Sequence, residues 1–339
     1  MLDTLDIPIL QAPMLGASSP ALAAAVSNAG GLGSLALGAL TPEKVAGLAA
    51  EIRALTTRPF GINLFVQRPA PVDEAAIALA VARLRPWRDR FGLPEAVFPK
   101  NWFADFEGQL QAVIDCRPAV ASFTFGCLTA AEISRLHAAD IFVIGTATTT
   151  AEAMLWEAAG ADAICLQGQE AGGHRGSFTP HDQASAVPLR QLLQDTSAVT
   201  RLPLIAAGGI MTGRDIAAVL NAGAVAAQLG TAFLLCPEAT TNAPWRAALK
   251  NAVGDTRLTR AFSGRYARGI VNAFMDDMAE IESALPDYPV QNILTGGLRA
   301  ACVKAQSSDC LSLWAGTNYA SAREMPAAEL VRALWAEAA

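Results

Sequence analysis

Short apolar runs alternate with amphipathic stretches over the first 250 residues of the chain. The runs that predict buried strands are Ile7–Gln11, Gly33–Leu35, Phe60–Leu64, Val120–Phe125, Ile141–Gly145, Ala163–Gln167, Leu204–Ala207 and Val225–Leu229. The stretches that predict helices are Ala21–Asn28, Pro42–Leu55, Asp73–Leu84, Ala130–His137, Thr150–Ala159, Leu189–Leu193, Gly213–Asn221 and Ala243–Lys250. Eight strand–helix repeats predict an α/β protein with a parallel (β/α)8 TIM barrel.

Local signals at three helix starts support the repeats independently of the strands. Thr129 and Thr149 are each followed three residues later by a glutamate, Glu132 or Glu152. In such a capping box the hydroxyl accepts from a free N–H group and the carboxylate reaches back to the first residue. Thr212-Gly-Arg-Asp215 is a related cap with an acidic first turn.

Two stretches break the repeat. Residues 85–118 are rich in Pro, Trp and Phe, and the region after the last predicted strand contains Ser263-Gly-Arg-Tyr-Ala-Arg-Gly269. We expect residues 85–118 and 241–304 to form a smaller, mainly helical cap over one mouth of the barrel. Residues 1–84 and 119–240 form the barrel in this interpretation, and residues 305–339 pack back on it.

Composition excludes several classes of protein. The chain is 52% hydrophobic and 17% charged, as expected for strands buried on both faces. Its net charge is −6 and it has no Lys/Arg cluster, so we expect no nucleic-acid partner. The uncharged segment from Ile216 to Pro237 is long enough to span a membrane. Because it contains Asn, Gln, Thr and three Gly or Pro breaks, we interpret it as helix, turn and buried strand.

The cysteines and the N-terminal residues indicate in which cellular compartment the protein is expected. The six cysteines form no CxxC pair and have no metal-ligand spacing with histidine, so we expect reduced thiols and no metal site. The start MLDTLDIPIL has no basic region of the kind that opens a signal peptide. A cytoplasmic protein is expected.

Glycine-rich turns follow the seventh and eighth predicted strands. They read Ala206-Ala-Gly-Gly-Ile210 and Gln228-Leu-Gly-Thr231, so they hold Gly208, Gly209 and Gly230. In a barrel of this kind these two loops form the usual phosphate site, where close backbone N–H groups favour a dianion. The alternative is that the glycines only make tight turns. No P-loop and no GxGxxG sequence follows a strand.

The loop after the sixth predicted strand centres on one histidine. It runs from Gln167 through Gly172, Gly173 and His174 to Gly176. Active sites of such barrels lie at the carboxyl ends of the strands, and imidazole suits proton transfer or hydrogen bonding near neutral pH. We therefore expect His174 to face the pocket, the alternative being a solvent-exposed loop histidine. His137 and His181 lack this context and are expected to be structural or exposed.

Amide side chains stand at two other strand ends. Asn63 lies at the carboxyl end of the third predicted strand and Gln167 at the carboxyl end of the sixth. Paired amide donors and acceptors suit the edge of a heterocycle such as a flavin, although buried structural amides fit their positions equally well. The chain has no GxSxG sequence that would favour acyl transfer.

The motifs together resemble the nitronate monooxygenases, formerly called 2-nitropropane dioxygenases. They are Ala12-Pro-Met14, Ala25-Val-Ser-Asn-Ala-Gly-Gly-Leu-Gly33, Gly61-Ile-Asn-Leu-Phe65, Glu170-Ala-Gly-Gly-His-Arg-Gly176, Ala206-Ala-Gly-Gly-Ile210 and Gln228-Leu-Gly-Thr231. Ser122-Phe-Thr-Phe-Gly126, Gly264-Arg-Tyr-Ala-Arg-Gly269 and Trp314-Ala-Gly316 resemble the class I branch of that family.

The resemblance implies non-covalent FMN with its phosphate near Gly208, Gly209, Gly230 and Thr231. The other flavin contacts that it implies are Ala12, Pro13, Met14, Asn63, Gln167, Gly172, Gly173, Gln228 and Leu229. The implied reaction is the oxidation of alkyl nitronates, propionate-3-nitronate among them, to a carbonyl compound and nitrite, with O₂ as oxidant. His174 matches the active-site histidine, as an acid/base or as a hydrogen-bond donor to the nitronate.

Three matters stay open in the sequence. The Ala-Gly-Gly-His loop also occurs in FMN-dependent reductases that use NADH to reduce enoyl-acyl-carrier-protein or quinones, and a non-catalytic phosphate- or flavin-binding barrel is a further alternative. The cap residues that contact substrate are undetermined, with Ser122, Phe123, Tyr288 and Lys304 as possibilities. A monomer or homodimer without membrane partners is expected.

Overall fold

The barrel is the main feature of the computed structural model, which describes residues 1–179, 186–251 and 253–339. Its parallel strands are β1 (Ile9–Gln11), β2 (Gly33–Ala36), β3 (Phe60–Phe65), β4 (Val120–Thr124), β5 (Phe142–Ala147), β6 (Ala163–Gln167), β8 (Leu204–Ala207) and β9 (Ala226–Leu229). They are ordered β1-β9-β8-β6-β5-β4-β3-β2, and a parallel bridge between Leu10 and Leu32 brings the two edges together. The predicted barrel is confirmed, and every residue of β3 is buried, as a two-sided strand requires.

Helices surround the barrel and build the cap. They are α1 (Pro20–Asn28), α2 (Pro42–Leu55), α3 (Glu74–Arg90), α4 (Phe106–Cys116), α5 (Ala130–His137), α6 (Thr150–Ala159), α7 (Leu189–Ser197), α8 (Gly213–Asn221), α9 (Ala243–Asn251), α10 (Ala273–Met278), α11 (Val290–Leu294), α12 (Gly296–Lys304) and α13 (Ala327–Ala338). Helices α2, α5, α6 and α8 have the bounds that the sequence predicts.

Two of the predicted caps form as expected. The Thr129 hydroxyl accepts from the Glu132 amide at 3.3 Å, and the Glu132 carboxylate accepts from the Thr129 amide at 2.7 Å. Thr212 and Asp215 exchange the same two bonds at the start of α8. Each box occupies donors that the first turn of a helix otherwise leaves without partners.

The predicted capping box of Thr149 is half wrong. Its hydroxyl accepts from the Glu152 amide at 3.2 Å, but the fully buried Glu152 carboxylate does not return to Thr149. It accepts instead from the amides of Thr148 (2.7 Å), Phe178 (2.6 Å) and Thr179 (3.1 Å). Burial raises the pKa of Glu152, but these N–H donors outweigh burial and hold it below its ordinary value. The carboxylate therefore fastens the segment after β6 to the start of α6.

The uncharged segment folds as helix, turn and strand. Helix α8 ends at Asn221, β9 follows at Ala226, and a 3-10 helix spans Thr231–Phe233. This confirms the interpretation of the segment as part of the barrel. In the ranges that the structure describes, no helix combines the length and apolar character needed to cross a membrane.

The inserted stretch, residues 85–118, contains the end of α3 and the whole of α4. Asp105 accepts from the Gly108 amide at 3.0 Å and starts this helix. Phe106 and Leu110 of α4 pack in the core of the barrel, whereas Leu84 of α3 packs in the apolar cluster of the cap. Helix α4 thus takes the place of the barrel helix between β3 and β4.

The cap is fastened to the barrel by a small sheet. Strands β10 (Thr256–Thr259) and β11 (Ala267–Ile270) are antiparallel, and β11 also pairs with β7 (Gly173–His174) in the loop after β6. Helix α13 packs against α1 and α8, with Leu330 in the core of the barrel. The division into barrel and cap at residues 84/85, 118/119, 240/241 and 304/305 remains a prediction.

The expectation of reduced thiols is wrong for two cysteines. Cys302 and Cys310 are joined by a disulfide, with their Cα atoms 6.2 Å apart. The chain turns back after α12, so two cysteines without a recognisable spacing meet inside the cap. The remaining four (Cys116, Cys127, Cys165 and Cys236) are free. Burial raises the pKa of Cys165 to about 12, so this thiol is protonated at neutral pH.

Candidate active site

One cavity of about 470 Å³ lies at the carboxyl ends of the barrel strands, beneath the cap. The structure brings together at its wall His174 and every residue that the sequence singled out for the cofactor. These are Ala12, Pro13 and Met14 after β1, Asn63 in β3, Gln167, Gly172, Gly173 and His174 at the end of β6, Gly208 and Gly209 after β8, and Gln228, Leu229, Gly230 and Thr231 at the end of β9. The volume is that of a pocket for a small organic ligand or cofactor.

The glycine turns after β8 and β9 form a cradle in this wall. Gly208 and Gly209 have φ of +122° and +71°, a region that side chains rarely adopt. A Cβ atom at Gly208 would lie 3.0 Å from the Ala171 amide nitrogen. The amides of Gly208, Gly209 and Gly230 form no hydrogen bond with another residue in the described part of the chain. Free N–H groups on a surface without side chains are what a phosphate requires.

The amide side chains that the sequence singled out have different hydrogen-bond partners. The Gln167 amide donates to the His174 carbonyl at 2.9 Å and accepts from the Gly176 amide at 2.8 Å, so it shapes the histidine loop. The Asn63 amide donates to the carbonyl and hydroxyl oxygens of Ser122 at 3.1 and 3.0 Å. The side-chain Oδ1 atom of Asn63 forms no hydrogen bond with any described side chain or amide, and neither does the Gln228 side chain. Those two groups are available to a ligand.

His174 is held from the cap side. Its Nε2 atom lies 2.9 Å from the Ser263 hydroxyl, which lies 3.0 Å from the Arg265 carbonyl oxygen. Aromatic rings of Phe125 and Trp314 meet the imidazole edge-on, with centroids 5.6 and 5.4 Å away. Because β7 pairs with β11, the backbone of this residue is fixed by the same cap segment that fixes its ring.

Burial and nearby cations keep His174 neutral. Burial lowers its pKa to about 3, and the positive charges of Arg265 and Arg299 act in the same direction. The tautomer of the His174 ring depends on which acceptor receives the single hydroxyl proton of Ser263. If that proton goes to the Arg265 carbonyl, the ring donates from Nε2 and Nδ1 has the lone pair; if it goes to Nε2, Nδ1 is the donor.

Phe125 is a wall residue with an unusual backbone. Its φ of +74° is rare for an aromatic residue, and its amide donates to the Gly176 carbonyl at 3.3 Å. The Arg265 guanidinium lies 4.2 Å above the Phe125 ring. Strained backbone of this kind occurs where the surrounding structure imposes it, often at a functional site.

The comparisons with known proteins agree with this geometry. The sequence profile described as nitronate monooxygenase matches residues 1–337. The chain is 47% identical to the nitronate monooxygenase of Pseudomonas aeruginosa over 332 residues, which cover 96% of this chain and 95% of the relative. The chain belongs to the nitronate monooxygenase family.

Two solved structures are similar to the fold of this chain. The nitroalkane oxidase of Streptomyces ansochromogenes superposes with a TM-score of 0.95 at 41% identity, covering 99% of this chain and 97% of that one. FabK from Thermotoga maritima matches with a TM-score of 0.76 at 28% identity, covering 99% and 94%. As a member of the nitronate monooxygenase family, the chain is an enzyme.

Sequence reasoning missed several wall residues of this family member. Trp314 and Gly316 line the cavity, as does Asn318, whose amide donates to the Gly209 carbonyl at 2.8 Å. Arg299 on α12 also lines it. Trp314-Ala-Gly316 carried part of the family resemblance and was the one signal that pointed to this wall. The other two residues reach it through the packing of distant segments.

The other candidates for substrate contacts lie outside this wall, and Ser122 and Phe123 belong to barrel strand β4 instead of the cap. Among the described lining residues there is no Ser122, Phe123, Tyr288 or Lys304. Phe123 is buried, Lys304 is exposed, and the Tyr288 ring lies 5.8 Å from His174 behind the wall. His137 is away from the cavity and lies 2.9 Å from an Asp162 oxygen, whereas His181 lies outside the described residues.

Proposed function

We propose that this enzyme uses FMN to oxidise alkyl nitronates, including propionate-3-nitronate, to a carbonyl compound and nitrite with O₂. The observation that carries the proposal is one cavity in which a glycine cradle for phosphate and a neutral His174 share a wall, with no carboxylate among the lining residues that the structure describes. Such a wall suits a small anion beside a flavin. We also expect a cytoplasmic enzyme that acts as a monomer or homodimer and needs no external reductant.

The residues present fit FMN. The free amides of Gly208, Gly209 and Gly230, with Thr231, would hold its phosphate, and a side chain at Gly208 would close the cradle. The free polar groups of Asn63 and Gln228 would meet its ring. When bound, FMN supplies the electron acceptor for the nitronate and passes the electrons to O₂.

His174 has a role that follows from its charge. A nitronate is already deprotonated at the carbon that bears nitrogen, so no base is needed to start its oxidation. A lone pair facing this anion repels it, whereas an N–H group attracts it. In the structure the Ser263 hydroxyl donates to the Arg265 carbonyl at 3.0 Å, with Nε2 at 2.9 Å on its other side. We therefore propose that, when a nitronate binds, this hydroxyl turns to donate to Nε2, which leaves Nδ1–H to donate to a nitro-group oxygen. Neutral nitroalkanes, in contrast, require the other tautomer with Nδ1 as base.

The test uses the enzyme as purified with its flavin. The flavin is released and identified, and its absorbance is followed without oxygen after addition of propionate-3-nitronate or NADH. We expect FMN, rapid bleaching by the nitronate and slow bleaching by NADH. His174→Ala should retain flavin and lose most of the nitronate reaction, whereas His137→Ala should react like the wild type. Rapid bleaching by NADH alone identifies a reductase, and unchanged reaction in His174→Ala excludes the assigned role.

A further inference from the structure

Arg299 is the one charged side chain in the described wall of the cavity. The other lining residues are glycines, apolar and aromatic residues, amides, hydroxyl residues, one cysteine and the neutral His174. No Asp or Glu is among them. The described wall residues therefore contribute one net positive charge to the electrostatic potential in the cavity, and this charge favours an anionic ligand.

The Arg299 guanidinium has only neutral partners. It donates to the Thr295 hydroxyl at 3.0 Å, the Asn292 carbonyl at 2.9 Å and the Phe262 carbonyl at 3.3 Å. These bonds use three of its five N–H donors and leave two, including Nε–H. No carboxylate in the described ranges pairs with it, although Arg260 of the same cap pairs with Asp287. Burial lowers the pKa of Arg299 to about 10, so it is still charged at neutral pH.

The same cap segment holds Arg299 and His174. The Phe262 carbonyl accepts from the guanidinium, and the next residue, Ser263, bonds the imidazole at 2.9 Å. The charge of Arg299 is one cause of the lowered pKa of His174. Two groups that are fixed by adjacent residues and line one cavity can contact opposite ends of one short ligand.

We propose that Arg299 binds a carboxylate on the substrate, so that this enzyme selects nitronates that have a second anionic group. This inference rests on the proposed function and deepens it. The planar guanidinium presents paired N–H donors to both oxygens of a carboxylate, and such charge-assisted bonds are the strong ones. His174 then contacts the nitronate end of the same molecule. An alkyl nitronate without a carboxylate leaves the buried cation with its three neutral partners and no anionic one.

The kinetic test compares two nitronates on the same three-carbon skeleton, propionate-3-nitronate and propyl-1-nitronate, in which a methyl group replaces the carboxylate. Arg299→Gln should lower kcat/KM for propionate-3-nitronate about 10- to 100-fold, mainly through KM, because a charged hydrogen bond is lost. It should lower kcat/KM for propyl-1-nitronate, a single anion without a carboxylate, by no more than about threefold, and it should leave the bound flavin unchanged. Arg299→Lys should recover part of the loss, since lysine restores the positive charge but not the paired N–H donors of the guanidinium.

Arg332→Gln is the matched control. It is the same substitution on helix α13, at an exposed residue outside the cavity. Arg332→Gln should change kcat/KM for neither of the two nitronates. An equal loss for both nitronates in Arg299→Gln, or a loss of flavin, would overturn the proposal, because the first indicates a general structural role and the second a role at the FMN phosphate.

A binding measurement separates this proposal from the proposed function. Calorimetry of the flavin-loaded enzyme with 3-nitropropionate and 1-nitropropane needs no turnover. We expect the wild type to bind 3-nitropropionate about tenfold or more tightly than 1-nitropropane, and Arg299→Gln to lose that preference. If no nitronate is oxidised, the proposed function fails while this preference still supports a carboxylate site. Equal affinity of the wild type for both ligands overturns the site itself.

Discussion

The neutral state of His174 predicts a specific dependence of stability on pH. An unfolded histidine has a pKa near 6.5, whereas burial lowers that of folded His174 to about 3. Between these values the unfolded chain binds a proton that the folded chain does not, so stability falls as pH falls from 6.5 toward 3. With these two pKa values, the free energy of unfolding at pH 5 is about 2 kcal/mol lower than at pH 7.5.

The assay is urea unfolding of the wild type and His174→Gln at pH 7.5 and pH 5. Glutamine presents an amide to Ser263 but does not titrate. We expect the free energy of unfolding of the wild type to fall by about 2 kcal/mol more than that of the variant between the two pH values. His137→Gln, which removes a histidine outside the cavity, should keep the wild-type loss. Equal losses in the wild type and His174→Gln would refute the reasoning.

Two further substitutions test the loops around the cavity. Glu152→Gln should lower the free energy of unfolding by about 3 kcal/mol, because an amide nitrogen replaces an oxygen that accepts from buried N–H groups. Urea unfolding within about 0.5 kcal/mol of the wild type would contradict this. Gly208→Ala should weaken FMN binding about tenfold or more, since its Cβ meets the Ala171 amide in the cradle. Gly223→Ala has similar backbone strain, at φ +102°, but nothing within 4 Å, so fluorescence titration should show normal FMN affinity.

Local patterns were sufficient for the barrel. Continuous apolar runs mark strands such as β3, which are buried on both faces, and hydroxyl–acid pairs such as Thr129 and Glu132 mark helix starts. A different start signal, an aspartate at the N-cap, precedes α4, where Asp105 accepts from the Gly108 amide, but the surrounding Pro, Trp and Phe residues concealed it. The glycine turns and His174 could be assigned to one mouth because parallel strands bring their carboxyl ends together.

What the sequence did not predict depends on contacts between distant segments. Glu152 has the spacing of a capping box, yet its carboxylate binds the segment after β6, which lies 26 residues along the chain. The Cys302–Cys310 disulfide and the position of Arg299 both follow from how α12 packs in the cap. No periodicity or spacing records such packing, so these features required the folded structure.

Oxygen consumption with nitrite release tests the central claim most directly. The flavin-loaded enzyme is mixed with propionate-3-nitronate in air-saturated buffer without NADH, and both quantities are followed together. The account predicts that oxygen uptake begins at once, that nitrite accumulates with it, and that both are largely lost in His174→Ala. Absence of nitrite from any nitronate, together with rapid oxidation of NADH, would contradict it.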